Sequence, residues 1–109
     1  MQLLSRIAGI LLLFPVSFSV YAETIDLVCI DATGFSVNFE IDTHHNVVIT
    51  GGIQARRVFV DKGVINFVLV FNGKNWFHSI NRTTGSMIVQ GPDKSSTDRY
   101  MCEKAKPKF

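Results

Sequence analysis

The stretch FSVNFEID, residues 35–42, decides the fold, because apolar and polar residues alternate along it without a break. Side chains alternate across a β-strand every two residues, whereas the faces of a helix repeat about every 3.6 residues. The alternation therefore predicts a half-buried strand whose core-facing side chains are Phe35, Val37, Phe39 and Ile41.

Seven further segments are rich in β-branched and aromatic residues, and turn residues separate them. The strongest turn signal is Asn72-Gly73, which is typical of a two-residue hairpin. No segment has helical periodicity. The sequence thus predicts about eight short strands in a meander, at residues 25–30, 35–42, 47–50, 53–60, 64–71, 76–81, 87–90 and 99–104.

The two cysteines constrain how this meander is arranged. Cys29 lies on the first predicted strand and Cys102 on the last, and a pair of cysteines in an exported chain predicts one disulfide. A disulfide needs its two Cα atoms within about 7 Å, so the first and last strands must be neighbours. We therefore expect an all-β fold that closes on itself, as a small antiparallel barrel with a side-chain-filled interior or as a sandwich with joined ends; the barrel is preferred.

Residues 1–22 have the layout of a secretory signal peptide. Arg6 supplies the positive start, and residues 7–14 form an apolar run. Val20-Tyr21-Ala22 then offers small residues at the −3 and −1 sites, with a cut before Glu23. The sequence thus predicts a signal peptide at 1–22 and a single β-barrel domain at 23–109. We expect the mature protein in the periplasm or outside the cell.

Composition narrows the classes of function. Removing residues 1–22 leaves 87 of the 109 residues, which is enough for one small domain. That remainder has ten Lys and Arg against nine Asp and Glu, a balance that argues against a nucleic-acid binder. It has no apolar run long enough to span a membrane.

Residues that could carry catalysis or hold a metal are few. The sequence has no GxSxG, HExxH or phosphate-binding loop motif, so we expect neither an enzyme nor a cofactor. Asp42, His44, His45 and His78 are of types that bind zinc or copper. Adjacent histidines on a turn rarely point at one metal, so solvated turn residues are the preferred interpretation and no metal site is expected.

One segment carries a family resemblance. Residues 27–39 place Cys29, Asp31 and Gly34 before the alternating strand, which resembles the opening of the small periplasmic inhibitors of c-type lysozyme. Those proteins are compact eight-stranded barrels whose Ser-Gly-x-x-aromatic loop enters the lysozyme cleft. In this chain, residues 96–100 keep the Ser and the aromatic residue at that spacing, with Thr97 in place of Gly.

The resemblance implies roles for residues of that loop. Ser96 and Arg99 would hydrogen-bond into the cleft, Tyr100 would fix the base of the loop, and Asp98 would bring a negative charge toward it. The leading hypothesis is therefore an exported protein-binding module, an inhibitor or immunity-type protein acting on an envelope-targeting enzyme such as lysozyme. Its contact surface would be the loop at residues 91–100, which is long, polar and tethered near the disulfide.

The alternative is a barrel that binds a small apolar molecule or a lipid, because the mouths of β-barrels hold such ligands. The abundance of Phe favours a core that fills itself, which would leave a ligand little space. The sequence leaves the partner and the oligomeric state open.

Overall fold

A computed structural model describes residues 24–105 of the chain. The predicted signal peptide and residues 106–109 lie outside the described residues. No helix in the described range is long and apolar enough to cross a membrane. The strands are β1 (Thr24–Asp31), β2 (Ser36–Asp42), β3 (Val47–Thr50), β4 (Ile53–Gln54), β5 (Arg56–Val60), β6 (Val64–Phe71), β7 (Lys74–Asn81), β8 (Ser86–Gln90) and β9 (Thr97–Lys104).

The strands form one antiparallel sheet in the order β4-β3-β2-β1-β9-β8-β7-β6-β5. The first and last strands, β1 and β9, are therefore neighbours in its middle. Cys29 and Cys102 lie directly opposite each other in that pairing and form the predicted disulfide. This confirms the expected all-β architecture and the pairing of the terminal strands.

The segment at residues 53–60, predicted as one strand, brings the edges of the sheet together. Its first part, β4, pairs with β3, and its second part, β5, pairs with β6. Only Ala55 separates the two parts, and its N–H donates to the Val48 carbonyl at 2.8 Å. Arg57 has a φ of 54° at an irregularity between Arg56 and Phe59, where the chain bends. The break at Ala55 divides the predicted strand into two, which gives nine strands, and the sheet becomes a nearly closed barrel.

The core lies inside this barrel and follows the predicted alternation. Phe39 and Ile41 on β2 are buried, and the Phe39 ring packs edge to face on Phe67, with 5.3 Å between ring centroids. The prediction for Phe35 was wrong, because this residue precedes β2 in a loop and its side chain is 60% exposed. The buried cluster comprises Ile25, Cys29, Phe39, Ile41, Val48, Ala55, Ile65, Phe67, Ile80, Met87 and Val89.

Because the strands run alternately up and down, their connections divide between two ends of the barrel. The upper end carries the connections at residues 32–35, 51–52, 72–73 and 91–96. The lower end carries those at 43–46, 61–63 and 82–85. The two ends differ in the hydrogen bonds that link their turns to each other.

The turns of the lower end are linked to each other. The Arg82 guanidinium donates to the Asp61 carbonyl at 2.7 Å, and the Arg82 N–H donates to the Gly63 carbonyl at 2.9 Å. Gly85 accepts a hydrogen bond from the Cys102 N–H at 2.7 Å, which joins this end to the disulfide-bearing strand. Gly85 has a φ of 84°, and a Cβ there would lie 2.6 Å from the Cys102 carbonyl oxygen. Only glycine fits this position without displacing β9.

Gly85→Ala is predicted to lower the free energy of unfolding by about 2–4 kcal/mol, since it combines a left-handed backbone with a backbone clash. The matched control is Gly52→Ala, because Gly52 has a similar φ of 79° and a Cβ there would meet nothing within 4 Å. That control should lose only about 1 kcal/mol. Urea unfolding measures both values. Equal losses would contradict the close approach of Gly85 to β9.

Candidate functional site at the open end of the barrel

The strand register places inward-facing side chains in lateral rows. Asp98 on β9 lies opposite Val89 on β8, and Val89 lies opposite His78 on β7. His78 in turn lies opposite Phe67 on β6. Nearer the upper end, Trp76 lies opposite Leu69. These rows form the wall and the floor of a space inside the upper half of the barrel.

That space is a cavity of about 580 Å³ that opens at the upper end, and we name it the mouth cavity. Most of its lining is aromatic or aliphatic, and two of its aromatic residues, Phe35 and Phe71, are each 60% exposed. Its volume is typical of a small-molecule site. The prediction of a filled interior is thus wrong for this end. The lining residues are Phe35, Val37, Thr50, Gly51, Ile53, Leu69, Phe71, Trp76, His78, Val89, Asp98 and Tyr100.

His78 forms part of the floor and is only 9% exposed. Its ring stacks on Phe67 with 4.9 Å between centroids, and its Nδ1 lies 3.0 Å from the Trp76 carbonyl oxygen. Burial lowers the pKa of His78, which favours the neutral imidazole. A carbonyl can only accept, so Nδ1 carries the proton and Nε2 is left as an acceptor.

The loop at residues 32–35 holds Phe35 at the mouth cavity. Asp31 Oδ1 accepts from the Thr33 hydroxyl at 2.7 Å, the Thr33 N–H at 2.9 Å and the Phe35 N–H at 3.0 Å. The Asp31 N–H also donates to the Phe35 carbonyl at 3.0 Å. The hydrogen bond from the Thr33 hydroxyl is the main reason that the pKa of Asp31 is lowered. These hydrogen bonds hold the backbone of Phe35 beside the cavity, and its side chain is exposed there.

The connection at residues 91–96 closes on itself beside the cavity. The Gly91 N–H donates to the Ser96 carbonyl at 3.2 Å, and the Lys94 N–H donates to the Gly91 carbonyl at 3.0 Å. A Cβ on Gly91 would lie 3.5 Å from the Trp76 ring and 2.8 Å from Ser96 Oγ, so the loop packs closely here. The Lys94 ammonium lies 5.6 Å from the centroid of the Phe77 ring, on the outer face of β7.

The structure separates the four predicted binding residues. Ser96 is exposed and ends the loop, because β9 already begins at Thr97, which lies opposite Gln90 on β8. The second half of the predicted loop at 91–100 is therefore strand, which suits the β-branched Thr97. The alternation of that strand turns Asp98 and Tyr100 toward the mouth cavity and Arg99 to the outer face.

Tyr100 lies opposite Asp31 in the pairing of β9 with β1 and two residues from Asp98 on β9. Burial is the main reason that the pKa of Tyr100 is raised, and the charges of Asp31 and Asp98 raise it further. The phenol therefore stays protonated, and this side of the cavity has a negative potential.

The cluster of His and Asp residues lies at the lower end of the barrel. Asp42 Oδ1 accepts from the N–H groups of His44 and His45, and Asp42 Oδ2 lies 3.0 Å from His45 Nδ1. The hydrogen bond from the His45 side chain is the largest of the effects that lower the pKa of Asp42. Within residues 24–105, no three His, Cys, Asp or Glu side chains are grouped to hold a metal ion. His78 belongs instead to the floor of the mouth cavity.

Most of the residues that line the mouth cavity were not predicted from the sequence. The signal that points to them is the inward series Ile65, Phe67, Leu69 and Phe71, which stays apolar up to the last residue of β6. In a small barrel, the last inward residue of a strand lies at the opening, where packing partners are few. An aromatic residue in that position indicates a contact surface.

Comparisons with protein-family models, with curated proteins and with solved structures found no match for this chain. The geometry of the chain itself is therefore the basis for assigning a function.

Acidification should test the burial of His78. Its pKa is lowered from 6.5 in the folded protein, so the unfolded chain takes up a proton first as the pH falls. Folded-state stability is thus predicted to fall between pH 7 and pH 5, above the range near pH 3.8 in which the Asp carboxylates titrate. His78→Phe keeps an aromatic ring and should reduce this fall. Melting temperatures measure this fall, and the difference between the two proteins reports on His78 because both keep His44 and His45. An identical pH dependence would contradict the burial.

Proposed function

We propose that the protein is a non-catalytic, exported binding module that takes a small apolar molecule or the apolar part of a lipid into the mouth cavity. One observation carries the proposal: the mouth cavity has a volume of about 580 Å³, mainly apolar walls and two exposed phenylalanines, Phe35 and Phe71. Single exposed apolar residues are ordinary, but several around one concave opening are typical of a binding site.

The physical driving force is the removal of apolar surface from water. Complete burial of a Phe side chain contributes about 1.5–3 kcal/mol, and Phe35 and Phe71 are each still 60% exposed. A ligand that covers both rings therefore gains part of this burial free energy from each of the two phenylalanines. Hydrogen bonds to Asp31 already hold the backbone of Phe35 in place, which lowers the entropy cost of ordering this loop on binding.

The disulfide fits the predicted compartment of this activity. A bond between Cys29 and Cys102 is compatible with an oxidising extracellular environment. The predicted signal peptide would deliver the chain to the periplasm or outside the cell. Lipids and small apolar molecules of the cell envelope are the ligands that such a barrel would meet.

Phe71→Ala is predicted to weaken the binding of the neutral apolar dye N-phenyl-1-naphthylamine by about tenfold, which corresponds to about 1.4 kcal/mol of binding free energy. The matched control is Phe59→Ala, because Phe59 is 54% exposed and lies opposite Asn66 on β6, outside the core cluster. Dye fluorescence measures both affinities, and melting temperatures check folding. Equal effects of the two variants, or no binding by the parent protein, would contradict the proposal.

A second candidate is the leading hypothesis from the sequence, binding of a protein partner such as a lysozyme. The observation that favours it is the connection at 91–96, whose internal hydrogen bonds give an exposed but ordered loop. An ordered loop on a rigid barrel binds a protein surface with little ordering cost. This candidate uses Ser96 in the loop and Arg99 on the adjacent outer face.

Affinity capture tests this candidate. The immobilised oxidised protein should retain one stoichiometric protein from an envelope extract or from a panel of lysozymes. Ser96→Ala combined with Arg99→Ala should weaken that binding at least tenfold without lowering the melting temperature. Capture that retains nothing, or a partner whose affinity the double variant leaves unchanged, would remove this loop as the contact surface.

A further inference from the structure

We propose that the ligand of the mouth cavity is a small organic cation, an alkylated ammonium group on an apolar body, with Asp98 as its counter-ion. This inference rests on the proposed function of the same cavity and names the chemical class of its ligand. Three features carry it: the aromatic lining, the state of the Asp98 carboxylate, and the placement of the protein's own positive charges.

Four aromatic side chains from four parts of the barrel line the one cavity. Phe35 comes from the first upper loop, Phe71 from the end of β6, Trp76 from β7 and Tyr100 from β9. The face of an aromatic ring carries a negative quadrupole that attracts a cation, most strongly for Trp. Rings placed around a cavity are the arrangement that binds quaternary ammonium groups.

Asp98 supplies a carboxylate on the wall of this cavity. Among the residues that the structure describes, no hydrogen bond or ion pair engages its side chain. The nearby Asp31 differs, because its Oδ1 is occupied by the N–H and hydroxyl groups of its own loop. Asp98 is therefore the carboxylate available to a ligand, and Asp31 adds to the negative potential beside Tyr100.

No Lys or Arg of the described residues is among those that line the mouth cavity. Lys94 holds its ammonium over Phe77, outside the barrel. Lys74 lies opposite Phe71 at the start of β7 and on the same face of the sheet, but it is not among the residues that line the cavity. His78 on the floor is held toward its neutral form by burial. A cation bound in the cavity would thus meet a carboxylate and aromatic rings, and no Lys or Arg among the lining residues would compete with it.

The carboxylates of Asp98 and Asp31 make anionic and neutral ligands bind less tightly than a cation. An anion would be placed beside Asp98 and near Asp31. A neutral apolar ligand still binds through the rings, but it leaves the Asp98 carboxylate without a partner, so it binds less tightly than a cation of the same shape. A cation on an apolar body gains from the rings and also keeps Asp98 paired.

Choline and its neutral isostere 3,3-dimethyl-1-butanol test the inference, because they differ in charge and hardly in shape. Trp76 is the single Trp of the chain, so its indole N–H signal in an NMR titration reports on the cavity. We expect choline to bind at least tenfold more tightly than the alcohol. Asp98→Asn should abolish most of this preference and leave the affinity for the alcohol within about twofold.

Asp26→Asn is the matched control, since it removes the same charge from an exposed position on β1 that is not part of the cavity. It should keep the preference for choline. Equal affinities of the parent protein for the two probes would overturn the inference, as would a choline affinity that Asp98→Asn leaves unchanged. Dye binding that depends on Phe71, together with equal affinities here, would leave the proposed function standing and refute only the cation. No binding of dye or of either probe would refute both.

Discussion

The pairing of β1 with β9 is the constraint on which the rest of the structure depends. Cys29 and Cys102 lie directly opposite each other in it although 73 residues separate them in sequence. In the chain-entropy account, closing a loop of that length stabilises the folded state by about 4 kcal/mol. That is a large share of the stability of so small a domain. The disulfide therefore secures the one pairing in the sheet that local turns cannot form.

The pairing of β1 with β9 lies in the middle of the sheet, and β4 and β5 form its two edges. They meet because the chain itself passes from one to the other through Ala55, with a bend at Arg57. The outcome is a barrel in which inward residues of all strands share one interior. The lower end is tied by Arg82 and by the close approach of Gly85 to β9. The upper end contains the mouth cavity, and hydrogen bonds to Asp31 hold the Phe35 backbone at its edge.

Much of this architecture could be predicted from the sequence, because it depends on local rules. Alternation placed Phe39 and Ile41 in the core, turn residues divided the strands, and one pair of cysteines required the first and last strands to be adjacent. The ninth strand was not predicted, since the break at Ala55 depends on which strands the two halves of the segment pair with.

The candidate site was harder to predict, because it depends on distances across the barrel. Alternation gives the face of each strand residue but not how far apart opposite walls lie. The apolar series that ends at Phe71 therefore points to the opening, but the space between Phe71 and Tyr100 could not be predicted. The contact loop was predicted too long for a related reason. Once residues after Ser96 continue as strand, Arg99 and Tyr100 must face opposite ways.

The central claim is that the mouth cavity is the binding site of this protein. The most direct measurement is an NMR titration of the oxidised protein with N-phenyl-1-naphthylamine, followed through the assigned backbone amides and the Trp76 indole. The account predicts saturable shifts at Leu69, Trp76 and Tyr100, with Arg82 and Gly85 at the lower end unchanged. Shifts confined to the lower end or to the outer face around Phe59 and Ile88 would contradict it.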